Sequence, residues 1–115
     1  MKWKTRFDDP ELGRITLKFG HWFPNLMGTD AVTIGRTIRC RNQSMSVGLY
    51  YHERAHIWRY IQNPGKTLAD MATWFWQGVL HGFSRAKHPW ELEADRKAVE
   101  YAAARVPVPL LRRRT

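Results

Sequence analysis

The segment YYHERAHIWRY, Tyr50 to Tyr60, carries two histidines four residues apart with a glutamate directly after the first. On a helix, residues four apart are displaced by only about 40° around the axis, so His52 and His56 point from successive turns toward one place. Glu53 lies about 100° from His52 on the same helix, beside the histidine pair rather than within it. Two imidazoles converging with a carboxylate alongside suit a metal ion and a proton acceptor. Two histidines do not complete such a site, and a helix whose Glu53 merely forms a surface ion pair would read the same way.

Candidates for a third ligand lie downstream: His81, His88 and the carboxylates of HPWELEADRKAVEYAAA, His88 to Ala104. Helical phase separates them. Measured around the axis from Glu91, Asp95 falls at about 40°, Ala98 at about 340° and Ala102 at about 20°. Glu93 falls at about 200°, on the side of Lys97 and Glu100. Glu91 and Asp95 thus share a stripe with small residues that let a second helix approach closely, and Glu93 faces water. Two unpaired carboxylates on an inner face would be costly to desolvate. Glu91 is therefore the expected third ligand, and Asp95 is expected to bind the non-coordinating nitrogen of a ligand histidine. His81, inside an aromatic helix, is a weaker ligand candidate and a possible support for the oxyanion formed when water attacks a carbonyl.

Working outward, 115 residues allow one domain, with residues 106–115 expected as a basic C-terminal tail. Six Trp, five Phe and four Tyr supply aromatic surface for a core despite the short chain. RITLKF, Arg14 to Phe19, alternates as a strand does, and GHWFPNLMGTD, Gly20 to Asp30, is rich in turn residues. AVTIGRTIRCR, Ala31 to Arg41, reads as one bent strand or two short ones broken at Gly35, with Ile34, Ile38 and Cys40 on one face and Arg39 and Arg41 toward solvent.

Ser44 or Ser46 can cap a helix from about Val47 to Gln62, which Asn63, Pro64 and Gly65 stop. A second helix is expected over Leu68 to Phe83, capped by Thr67. A third runs from about Trp90 to Arg105, with Pro89 in its first turn. The expected class is α+β, a minimal domain of short N-terminal strands followed by about three helices.

HERAH followed by ELEAD resembles the active-site helices of gluzincin metallopeptidases, which pair an HExxH helix with a downstream ExxxD helix. Residues 30 to 104 are similar to small bacterial metallopeptidase domains of this type. The resemblance implies a zincin-like fold and a Zn2+ cofactor, with His52, His56 and Glu91 as ligands, Glu53 as general base, and Asp95 behind a ligand. It also implies a peptide or protein substrate. Arg54 departs from the pattern, standing where these proteins carry an apolar residue, and it predicts a more exposed outer face for the helix.

Two other readings belong beside this one. A small domain can use zinc for folding free energy and bind a protein partner without catalysis. The formal charge of +9, with Lys2, Lys4, Arg6, Arg36, Arg39, Arg41 and Arg112 to Arg114, admits nucleic acid or another acidic surface, with Trp3, Trp22 and Phe23 as stacking partners. A homo-oligomer stays open. The lone Cys40 rules out an intrachain disulfide framework. No apolar run is long enough to span a bilayer and the N-terminal residues lack a secretory apolar stretch, so the expected location is the cytoplasm.

Overall fold

A computed structural model describes residues 2–22, 24, 29–81 and 89–112, with the backbone alone at 77–81 and 89–90. Strands β1 (Trp3–Asp9), β2 (Gly13–Phe19), β3 (Ala31–Ile34) and β4 (Thr37–Cys40) precede helices α1 (Val47–Gln62), α2 (Pro64–His81) and α3 (Pro89–Ala103). The class is α+β, with the strands N-terminal to the helices as expected. The strands form one sheet in the order β1-β2-β4-β3, antiparallel except for the parallel β2–β4 pair.

Strand β1 is not among the elements expected from the sequence. It pairs along its whole length with β2, from Trp3 opposite Phe19 to Asp9 opposite Gly13. Trp3, Thr5 and Phe7 alternate with the charged Lys4, Arg6 and Asp8, a short strand pattern in which the polar Thr5 is the weak inward position. Asp9 shapes the hairpin turn by accepting the backbone N–H groups of Glu11 and Leu12 at 2.8 and 2.9 Å.

The Ala31 to Arg41 run is two strands. Gly35 supplies the positive φ of 62° that the tight turn needs. Reversal there pairs Thr33 with Ile38 and Ala31 with Cys40. Ile34 consequently lies on the face opposite Ile38 and Cys40, a correction to the expected grouping: side-chain alternation restarts once the chain turns back.

Ser46 caps α1, its hydroxyl accepting Leu49 N–H at 3.1 Å. Pro64 ends α1 and also opens α2, so α2 begins one turn earlier than expected. Proline's fixed φ suits a first helical position, and Asn63 Oδ1, not Thr67, accepts the Lys66 N–H at the cap. Thr67 instead donates to the Arg59 carbonyl.

The core lies between the inner face of the sheet and α1 and α3. Ile15, Leu17, Phe19, Ile38 and Cys40 meet Tyr50, Ala55, Ile57, Ala94 and Tyr101. Each large apolar side chain buried there stabilises the fold by roughly 1.5–3 kcal/mol. Ala94 is buried and Ala98 packs at the core edge, but Ala102 is exposed, because Tyr101 turns inward in its place against Tyr51. Residues 106–112 run back along the domain. The Val106 carbonyl accepts the Tyr51 hydroxyl at 2.5 Å, and Met45 N–H donates to Leu111 O.

Arg54 is the largest departure from expectation. It is 1% exposed, not at the surface. Tyr50, Arg54, Ile57 and Ile61 recur at helical spacing, which puts the guanidinium on the inward stripe. Nε and one terminal nitrogen grip the two carboxylate oxygens of Asp9 at 2.9 and 2.8 Å, and the guanidinium lies 4.4 Å from the Tyr101 ring centre. One side chain on α1 thereby ties the β1–β2 hairpin to α3.

Candidate metal centre

Helix α1 packs most extensively along α3, which brings HERAH against ELEAD. His52 Nε2 lies 2.5 Å from Glu91 Oε2, and His56 Nε2 lies 3.1 Å from Glu91 Oε1. His52, His56 and Glu91 each offer one donor atom, and the three atoms lie within 4.8 Å of one another. Among the described residues this is the group of His, Cys, Asp and Glu side chains that can hold a metal ion. Two imidazoles and a carboxylate form a donor set suited to zinc, with room for a fourth position.

The other nitrogen of His52 is also engaged. Nδ1 lies 2.8 Å from Asp95 Oδ1, so the ring is fixed between Glu91 and Asp95. Burial alone would lower the pKa of His52, but hydrogen bonds and charge from Glu91, Glu53 and Asp95 raise it to about 9. Burial would raise that of Glu91, and the two histidines outweigh this and hold it well below the usual carboxylate range.

Glu53 stands apart from the three donors and is 5% exposed. Thr33 Oγ1 on β3 donates to its Oε2 at 2.5 Å. Burial pushes its pKa up, against the opposing pull of His56, Thr33 and His52. A buried carboxyl group raised this way and set beside two imidazoles is a candidate proton carrier. The sequence alone does not single out Thr33 as a partner of Glu53; once β3 is placed, its position on the inward face identifies it.

Glu93, the rejected alternative to Glu91, lies 3.7 Å from Arg59, which also meets Asp70 of α2. It belongs to a link between helices and not to the donor cluster. His81 ends α2, but its side chain lies outside the described residues, as do His88, Phe23 and Arg113 to Thr115.

Comparison of the chain with family models, curated proteins and solved structures gives no match. The class therefore rests on geometry: an α+β domain whose HExxH helix and downstream ExxxD helix form a cluster able to coordinate a metal ion.

Proposed function

We propose that the chain is a zinc-dependent hydrolase acting on peptide bonds. The observation that carries this reading is the convergence of His52, His56 and Glu91, with Asp95 on the far nitrogen of His52 and buried Glu53 alongside. His52 Nε2, His56 Nε2 and a Glu91 oxygen would hold the ion. Zinc bound there supplies a Lewis acid that polarises a carbonyl and makes water acidic enough to attack at neutral pH.

The chain's own residues supply the rest. Asp95 fixes the His52 ring with Nε2 toward the ligand position. Glu53 takes the proton of the attacking water and delivers it to the departing amine. The Thr33 hydroxyl holds one Glu53 oxygen, leaving the other for that transfer. Strand β3 is at the sheet edge, so an extended peptide can pair with its free side while the scissile bond approaches Glu53.

The test is cleavage of a broad peptide library by protein loaded with one equivalent of zinc, with Glu53→Gln as control. Turnover that falls about 10²–10⁴-fold in the variant while zinc uptake is retained supports the reading. No cleavage by fully loaded protein would sink it.

A further inference from the structure

The sheet face away from α1 carries an arrangement that the metal centre does not use. Lys4 on β1 stands opposite Lys18 on β2, Lys18 opposite Arg39 on β4, and Arg39 opposite Val32 on β3. Residues in register share a face, so three cations form a continuous row across strands about 4.7–4.9 Å apart. The neighbouring row runs Arg6, Thr16, Thr37, Ile34. Like charges directly opposite one another destabilise a sheet. No ion pair among the described residues reaches Lys4, Lys18 or Arg39, and one buried terminal nitrogen of Arg39 has no hydrogen-bond partner among them.

Aromatic and apolar surface flanks this row. His21 follows β2 and stacks on Trp22 at 5.8 Å between ring centres, and Trp22 is 60% exposed. Besides burial, the charges of Arg39, Lys2 and Lys18 lower the pKa of His21, so these cations gather around it. At the β3 end, Val32 and Ile34 meet Leu68, Met71, Trp74 and Phe75 of α2 around a cavity of about 280 Å³. That volume is near the lower limit of small-ligand sites, roughly 300–1,000 Å³.

We propose that this outer sheet face binds single-stranded nucleic acid, with phosphates along the Lys4–Lys18–Arg39 row and an unstacked base in the cavity beside Val32. The phosphates neutralise the repulsion that the free sheet carries, and the aromatic walls accept the face of any base without selecting its identity. A duplex keeps its bases stacked and cannot fill the cavity. An anionic bilayer is the competing occupant, since Trp22 and Leu68 are exposed beside the cations, and the comparison with vesicles separates it from the single strand. The basic row lies on the sheet face away from α1 and the metal centre, whereas the cavity adjoins the β3 edge at which a peptide would pair.

The experiment is fluorescence anisotropy of a short labelled single-stranded DNA titrated with the full chain across a range of salt concentrations. The same sequence as a duplex and vesicles containing phosphatidylserine serve as comparisons. Affinity should fall with salt, and the Lys4→Gln/Lys18→Gln double variant should flatten the log–log slope by about 1.4, twice the ~0.7 per phosphate of single strands. That variant should melt no lower than the parent protein, since it relieves repulsion, so lost binding is not lost folding. Ala72→Trp, which adds bulk at the cavity wall, should weaken binding while leaving the slope unchanged. Absence of single-strand binding at low salt overturns the proposal, as does an unchanged slope in the double variant. Tighter binding to duplex or vesicles than to the single strand also overturns it.

Discussion

Asp95 Oδ1 lies 2.8 Å from His52 Nδ1, which leaves Nε2 of the same ring directed at Glu91. A carboxylate in this position fixes the orientation and proton placement of a ligand imidazole. Asp95→Ala should therefore lower zinc affinity by about 10–100-fold without abolishing binding. Glu91→Ala should cost more, because it removes a donor, and Glu93→Ala should leave affinity unchanged. Competition titration with a zinc-binding dye measures all three. A larger loss in Glu93→Ala than in Glu91→Ala would reverse the ligand assignment.

The donors bridge α1 and α3, so an ion held there adds to the stability of the fold. Free zinc at a hundred times its dissociation constant should stabilise the protein by about 2.7 kcal/mol. Thermal melts with and without chelator report the difference. A protein that unfolds at room temperature on chelation would indicate a chiefly structural metal, whereas a modest shift with retained fold suits a hydrolase.

Arg54 and Asp9 form an ion pair shielded from water, with side-chain exposures of 1% and 0%. Removing one partner strands the other charge. Arg54→Met is expected to destabilise the fold by about 3–5 kcal/mol. Adding Asp9→Asn should recover part of that loss, since the amide oxygen can still accept a turn N–H. Urea unfolding of the single and double variants makes the comparison, and additive losses would contradict it.

The same pair sets a response to acid. Burial raises the Asp9 pKa, but Arg54 and the Leu12 and Glu11 N–H groups outweigh it and leave it below the ordinary value. A carboxylate depressed on folding contributes stability that is complete above the unfolded pKa of about 3.9 and is lost as pH falls through the folded value. Wild type should therefore hold this contribution to below about pH 4. In Arg54→Met only the Leu12 and Glu11 N–H groups still oppose the burial penalty, so acid unfolding should begin at higher pH. Circular dichroism across an acid titration would show the midpoint move; an unmoved midpoint would count against the account.

The helices and the donor cluster are readable in the sequence because they depend on local periodicity. His52, His56, Glu91 and Asp95 follow from helical phase within two short segments, and the structure brings them together as that phase requires. Arg54 is misread as a surface residue although its own phase with Tyr50 and Ile57 points inward, because a charged residue there makes sense only once a buried partner is known. That partner, Asp9, stands 45 residues away at the end of a short strand with a polar residue, Thr5, at an inward position. The basic row is equally hidden. Lys4, Lys18 and Arg39 are scattered in sequence, and only the register of three strands aligns them.

Three neighbouring side chains of α1 are held by distant parts of the chain: Tyr51 by Val106, His52 by Asp95 and Arg54 by Asp9. Each contact closes a loop of more than forty residues, an entropic cost that must be met before the contact gains anything. Helix α1 can form early from local propensity, but its chemistry arrives last. During synthesis on the ribosome, a chain that has emerged only as far as α2 would present two histidines and a glutamate without the carboxylates that organise them. The three-donor cluster is thereby complete only once α3 has formed.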